Sequence, residues 1–347
     1  METNQAINTM EASQFMDGMP FSKKQVKSDV NRAALAVMLN LLIMYVVVFA
    51  GLFVRMFLVT FAEMAKNNDF EQAMANANSI FESDAFWDSI MESGIESLVA
   101  IMLGTFFVWI VMRRKTSVKT MLESNNKMTA KAFGQCLCVF MGIQIPIILL
   151  DGVIETILNQ FGLTAAAGLE MATGGSTTIS MFLYAAFGAP IVEEVIYRGF
   201  IMKSLEKYGK VFAIIISAIM FGLMHTNLTQ SIFAMLVGLV LGYVAMNYSI
   251  KWSILLHFIN NCIFSEVMSF LLKDMDEMVQ DIIETGSMGA FCIAGIVILI
   301  LKRKNIVEYV KEHVGEKEYF KYAFTSVWFL IFIVACSLGG LMVIQKL

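Results

Sequence analysis

Long apolar segments constrain this chain more than any other feature of its sequence. Nine such segments recur along the 347 residues, and most approach the roughly 20 helical residues that cross a bilayer core of about 30 Å. Apolar residues make up 58% of the chain and charged residues 16%, whereas soluble domains have about 45–50% and 25%. The sequence therefore predicts an all-α, polytopic transmembrane helical bundle of eight or nine spans. The predicted spans are Ala33–Val59, Ile95–Met112, Ala132–Leu158, Thr178–Met202, Val211–His225, Ser231–Met246, Trp252–Leu272, Met288–Leu301 and Ala323–Ile344.

This composition also excludes several classes of protein. An intrinsically disordered chain, a collagen, a disulfide scaffold and an ordinary cytosolic enzyme do not carry so many long apolar runs. The net charge of −4 gives no reason to expect nucleic acid as a partner. All five cysteines lie inside apolar runs without a CxxC spacing, which favours small core residues over a disulfide or a thiol-based site.

The loops between the predicted spans alternate in charge. Basic residues precede the first span and follow the second, fourth, sixth and eighth, whereas loops 60–94 and 273–287 are acidic. Because all the basic loops fall on one side, the positive-inside rule places the N-terminus in the cytoplasm. We expect an integral membrane protein of a bacterial plasma membrane, without a cleavable signal peptide in its polar first 32 residues. The acidic loop 60–94 is interpreted as a surface-lying segment or a lid.

Charged side chains inside a span cost roughly 2.5–3.5 kcal/mol each at the helix centre, and they mark candidate functional sites. The fourth span contains Glu193, Glu194 and Arg198. Glu194 and Arg198 are four residues apart, so they share a helical face and can pair. Glu193 points away from that face, about 15 Å along a regular helix from Lys203, and is available for chemistry. Pro190 predicts a kink just before the pair. The alternative is an ion cluster that only fixes helix packing.

Two of the three histidines also lie in predicted spans. His225 ends the fifth span, four residues after Phe221, and His257 precedes Asn261 by one turn in the seventh. A carboxylate and an imidazole can hold and deprotonate a water, and a second imidazole with an amide can stabilise an oxyanion. Taken singly, these residues are also compatible with hydrogen bonding between helices. Glu266, nearer the outer side, is compatible with a pore or a packing role, and we assign it neither.

Together and in this order, these residues resemble the signature of the CPBP (CAAX protease and bacteriocin-processing) family of intramembrane proteases, which includes Rce1-like prenyl-protein endopeptidases and abortive-infection proteins. The family pattern of EExxxR, FxxxH and HxxxN is present at Glu193–Arg198, Phe221–His225 and His257–Asn261. The resemblance covers about residues 132–272. It implies an all-α core and an intramembrane endopeptidase that hydrolyses a peptide bond near the cytoplasmic face of the bilayer.

The resemblance also implies a role for each matching residue. Glu193 would be the general base, His225 would help to position the water, and His257 with Asn261 would form the oxyanion hole. The other motif residues would support the site: Glu194, Arg198 and Phe221. No cofactor is required in the favoured, glutamate-dependent interpretation, and the HExxH motif of many zinc proteases does not occur. A metalloprotease is the alternative, with zinc held by Glu193, His225 and His257.

The resemblance divides the chain into four parts. These are a cytoplasmic N-terminal tail (1–32), two spans with the acidic outer loop (33–131), the catalytic core (132–272), and two spans with a basic cytoplasmic segment (273–347). The expected partners are a membrane-associated peptide or protein substrate and the lipid bilayer. Two other functions stay open, namely a non-enzymatic peptide-binding or immunity protein and an ion or solute transporter. The transporter is less favoured because no internal repeat is visible.

Overall fold

A computed structural model describes residues 21–123, 126–165 and 176–347. It is 84% helical, and the strands in these ranges are only the two-residue segments β1 (Leu163–Thr164) and β2 (Gln345–Lys346), which pair antiparallel. The predicted all-α bundle is confirmed. The helices are α1 (Lys23–Lys66), α2 (Phe70–Phe81), α3 (Asp84–Met91), α4 (Gly94–Met112), α5 (Val118–Leu122), α6 (Ala130–Gly142), α7 (Gln144–Gln160), α8 (Ile179–Tyr208), α9 (Lys210–Leu223), α10 (Leu228–Asn247), α11 (Ile250–Leu272), α12 (Glu277–His313), α13 (Lys317–Ala323) and α14 (Val327–Met342).

Seven helical segments among the described residues are long and apolar enough to span a membrane. They are α1, α3 with α4, α6 with α7, α8, α10, α11 and α12. Helices α13 and α14, which meet at a bend of 64°, form an eighth candidate if they count as one span. The predicted span Val211–His225 is instead the 14-residue helix α9, about 21 Å long at the usual rise per residue. Most of its residues are buried, so it packs inside the bundle.

Several helices are longer than the apolar runs that predict them. Helix α1 exceeds the predicted Ala33–Val59 at both ends, and α12 exceeds Met288–Leu301, because polar residues continue a helix where it leaves the bilayer. The acidic segment 60–94 is also largely helical. The side chains of Asp69 and Ser83 accept hydrogen bonds from the first backbone N–H groups of α2 and α3, which is the usual capping arrangement.

Small residues let α9 and α10 approach closely. A Cβ atom on Gly238 would lie 3.2 Å from the ring of Phe221, and one on Gly242 would lie 3.0 Å from Ile214. Glycine at these positions therefore permits the contact, as in other membrane helix pairs. Phe221 of α9 therefore contacts α10 at Gly238 and α8 at Tyr197 and Arg198.

A buried aspartate connects α1 to the helix that carries the glutamate pair. Asp29 of α1 accepts contacts from Lys115 at 2.7 Å, from Lys207 at 2.6 Å and from the hydroxyl of Tyr208 at 2.9 Å. Charge-assisted contacts of this kind are stronger than neutral hydrogen bonds. Since Lys207 and Tyr208 end α8, this junction fixes one end of that helix.

Candidate active site

Helix α8 is not a regular α-helix. Two of its segments, Tyr184–Gly188 and Val195–Met202, are π-helical, and the α-helical segment Ala189–Glu194 lies between them. Segments of π-helix inside α-helices are frequent at functional sites. The assumption of a regular helix between Glu193 and Lys203 is therefore wrong, because π-helical turns change the spacing of residues along the axis. Both glutamates lie at the end of the central α-helical segment.

Glu194 is fully buried and belongs to an ion cluster. Its Oε2 lies 3.3 Å from Nε of Arg198, and neither side chain is exposed. Its Oε1 lies 3.2 Å from Nδ1 of His257, on α11. The guanidinium of Arg198 also lies over the ring of Phe221, 4.3 Å from the centroid, a favourable cation–π arrangement. Glu194 thus joins the α8 pair to α11.

Glu193 has a different environment from its neighbour. Its side chain is 16% exposed, and its Oε2 lies 3.8 Å from Nε2 of His257. It makes no hydrogen bond within the described residues. The imidazole of His257 therefore lies between two carboxylates, one facing each ring nitrogen. A neutral imidazole carries one N–H, so both nitrogens can donate only in the imidazolium form. Glu193 is the carboxylate that has room to contact water or substrate.

The ring of Phe221 brings the other motif residues together. Its centroid lies 5.2 Å from that of His225, 5.9 Å from that of His257 and 5.2 Å from that of Tyr197. Nδ1 of His225 lies 2.9 Å from the carbonyl oxygen of Phe221. Because a carbonyl only accepts, Nδ1 is the donor, and Nε2 of the neutral ring carries the lone pair. Among the described residues, His225 is linked to His257 by ring packing and not by a hydrogen bond.

Asn261 links α11 to α8 one turn beyond His257. Its Nδ2 donates to the carbonyl of Ala185 at 3.1 Å. Pro190, five residues after Ala185, has no N–H to offer this carbonyl, and the N–H of Ala189 bonds to Tyr184 instead. Side chains from neighbouring helices commonly satisfy the backbone groups that a proline leaves open in a membrane helix. His257 and Asn261 therefore both face α8.

Glu266 lies apart from the motif residues. Its two carboxylate oxygens accept hydrogen bonds from the backbone N–H and the hydroxyl of Ser176, at 3.0 and 2.9 Å. It therefore holds the chain just before α8. Sequence reasoning missed Gln144 and Asn260, which lie in one hydrogen-bonded chain with Asn261. Gln144 is 116 residues from Asn260, so no local spacing could have pointed to it.

The three candidate zinc ligands do not form a metal site in the described part of the chain. No group of three or more His, Cys, Asp or Glu residues there is arranged to hold a metal ion. Glu193 and His257 approach each other, but among the described residues His225 makes no polar contact with either.

A buried cluster of carboxylates, imidazoles and an amide inside apolar helices defines an integral membrane protein with a polar site. Residues 175–263, about a quarter of the chain, match the family model described as type II CAAX prenyl endopeptidase Rce1-like. Over this segment the chain is therefore similar to a family of CAAX-type intramembrane proteases. The resemblance drawn from the three motifs is confirmed, and all seven motif residues lie inside the match. No curated protein and no solved structure matches the chain.

Proposed function

We propose that the protein is an intramembrane endopeptidase that hydrolyses a peptide bond in a membrane-associated peptide or protein. The observation that carries the proposal is the difference in environment between the two adjacent carboxylates. Glu194 is sealed in an ion pair with Arg198, whereas Glu193 is partly exposed and faces His257. A site that only fixed helix packing would gain nothing from a second, weakly paired carboxylate, which is costly inside a membrane.

In the proposed mechanism, Glu193 and His225 act on the attacking water. Nε2 of His225 carries a lone pair and can accept one water hydrogen bond, which orients the water. Glu193 takes a proton as the water oxygen attacks the carbonyl carbon of the substrate, and the same carboxyl group then gives that proton to the leaving amine nitrogen. The C–N bond breaks in this second step, so the reaction consumes one water and needs no further reactant.

In the same mechanism, His257 and Asn261 stabilise the oxyanion. The mechanism uses the imidazolium form of His257, in which Nδ1 donates to Glu194 and Nε2 carries a second hydrogen. That hydrogen and one on Nδ2 of Asn261 are the two donors to the oxyanion. The low-dielectric interior strengthens such hydrogen bonds, and donors already held in place cost no reorganisation during the reaction. Oε1 of Glu194 lies 3.2 Å from Nδ1 of His257, and the carbonyl of Ala185 accepts from Nδ2 of Asn261 at 3.1 Å. These contacts position the two donors.

The placement of the chain in the membrane is part of the proposal. The N-terminus lies in the cytoplasm of a bacterial cell, and residues 132–272 form the catalytic core. The positive-inside pattern supports this orientation. It places the Asp29 junction with Lys115 and Lys207 at the cytoplasmic end of the bundle, and the acidic helices α2 and α3 on the outer side.

No step of the proposal is routed through a metal, since the three candidate ligands are not grouped as a metal site in the described part of the chain. We therefore expect a purified preparation to keep its cleavage rate after prolonged treatment with EDTA or 1,10-phenanthroline. The measurement is the initial rate before and after dialysis of the chelator, with a zinc protease treated in parallel as a positive control. Loss of activity that returns when zinc is added back would contradict the glutamate-dependent mechanism.

The proposed function is tested by comparing the terminal peptides of native membranes from cells that express the wild type or Glu193→Ala at matched levels. We expect new peptide termini in the wild type that disappear in the variant, and these termini also define the cleavage sequence. Identical termini in both membranes would contradict the enzyme assignment. Peptide binding and ion flux would then be measured, since they are the activities of the two alternative functions.

A further inference from the structure

A chain of side-chain amides enters the site from a helix outside the family match. Nε2 of Gln144, at the start of α7, donates to Oδ1 of Asn260 at 3.1 Å. Nδ2 of Asn260 donates to Oδ1 of Asn261 at 3.0 Å. Nδ2 of Asn261 then donates to the carbonyl of Ala185 at 3.1 Å. Three helices, α7, α11 and α8, are thereby connected through one row of hydrogen bonds.

The direction of this row is fixed from the Ala185 end. A backbone carbonyl only accepts, so the group of Asn261 that faces Ala185 must be its NH₂. The oxygen of Asn261 then faces Asn260, which must present its own NH₂, and the oxygen of Asn260 in turn requires a donor from Gln144. An amide can otherwise rotate by 180° at little steric cost. The Ala185 carbonyl and the NH₂ of Asn260, which Gln144 orients, therefore act on opposite ends of the Asn261 amide and select the same orientation.

Two local features of the helices make the row possible. The Ala185 carbonyl is available because Pro190 lacks an N–H group. Asn260 and Asn261 lie in the π-helical segment Ile259–Val267 of α11. Adjacent side chains of an α-helix do not face each other, and the wider π turn brings these two amides together. Both features break regular helix geometry at the level of the site.

The row leaves one donor of Asn261 for the substrate. Nδ2 carries two hydrogens, and Ala185 takes one of them. The second has no acceptor among the described residues. In the opposite orientation of the amide, the oxygen of Asn261 would face the Ala185 carbonyl, and its NH₂ would face that of Asn260.

We propose that Gln144 and Asn260 are positioning residues that fix the Asn261 amide so that an N–H, and not the oxygen, is presented to the reacting carbonyl group. This inference rests on the proposed protease function. It assigns a part in the reaction to Gln144, which lies on α7 beyond the 175–263 match, and to the first asparagine of the Asn260–Asn261 pair. Neither residue contacts the substrate in this role; both act through Asn261.

The test is a double-mutant cycle on the full chain in liposomes. The probe is an internally quenched peptide that spans a cleavage site defined by the Glu193-dependent termini. Asn260→Asp keeps the size of the side chain and its acceptor for Gln144 but cannot donate to Asn261 as a carboxylate. We expect it to lower kcat by about 10-fold with little change in KM, which is less than the 10²- to 10³-fold usual for loss of an oxyanion donor itself. Gln144→Leu should also lower kcat, because it removes the donor to Asn260.

The decisive comparison uses Asn261→Ala. A residue that acts only through Asn261 has nothing left to position in that background. The double variant Asn260→Asp/Asn261→Ala is therefore expected to be no slower than Asn261→Ala alone. Multiplicative losses in the double variant, or a wild-type kcat for Asn260→Asp, would overturn the inference.

Two controls separate this result from other causes. Asn247→Asp removes the donor of another buried asparagine, whose Nδ2 donates to the carbonyl of Tyr243 on α10 and to the hydroxyl of Tyr309 on α12. It should leave kcat of the folded protein unchanged. Glu193→Gln is measured in parallel. If the wild type cleaves and Glu193→Gln does not, the protease function holds, and the amide variants alone decide this inference. If the wild type does not cleave, the proposed function and this inference both fail.

Discussion

Glu193→Gln is expected to lower the rate of peptide cleavage by about 10²- to 10⁴-fold, the usual contribution of general acid–base catalysis. Glutamine has nearly the same size and shape as glutamate, but it does not take the proton of the attacking water. The fold should be retained, because the Glu193 side chain is 16% exposed and its contact with His257 is 3.8 Å long. Loss of activity with retention of structure is the result that separates a catalytic carboxylate from a structural one.

The experiment measures initial rates on a quenched peptide together with the thermal unfolding temperature of the same preparation. Glu63→Gln is the matched control, because Glu63 is a glutamate with little exposed surface that lies at the far end of α1 and pairs with Lys66. It should cleave at nearly the wild-type rate. A Glu193→Gln protein that keeps more than about a tenth of the wild-type rate would contradict the assigned base, since even the lower limit for such a group is about 100-fold.

The sequence predicts the contacts that are local to one helix. The spacing of Glu194 and Arg198 predicts an ion pair, and the structure has that pair at 3.3 Å. The spacing also separates Glu193 from it, and Glu193 faces His257 instead. The apolar runs predict the all-α bundle for the same reason. Each run is recognised from its own residues, without reference to distant parts of the chain.

The sequence does not predict the contacts between helices. Nothing in the motif FxxxH indicates that Phe221 contacts both histidines and the guanidinium of Arg198. The amide row that begins at Gln144 is equally invisible, since it joins residues on three helices. The π-helical segments of α8 and α11 also have no pattern of their own in the sequence. Pro190 was the one local signal, and it predicts a kink without predicting which side chain satisfies the backbone.

Arg198→Met is expected to destabilise the protein strongly, by about 3–5 kcal/mol in free energy of unfolding, the usual cost of removing one partner of a buried ion pair. Arg198 and Glu194 are both fully buried, so the remaining carboxylate would be left without its cation and beyond the reach of water. Methionine fills most of the space of the arginine stem, which limits the part of the effect due to a cavity. The measurement is denaturant unfolding in a mild detergent.

The double variant Glu194→Gln/Arg198→Met separates charge from packing. It removes both charges and leaves a neutral amide next to His257, so most of the lost stability should return, as it often does when a whole buried pair is replaced. Activity should not return with it, because the glutamine no longer supplies the negative charge that faces Nδ1 of His257 at 3.2 Å. Lys203→Met is the control on the same helix. Its partner Glu206 is 30% exposed, so the loss should stay below about 1 kcal/mol. A double variant as unstable as Arg198→Met would show that the arginine acts through its packing on Phe221 and not through its charge.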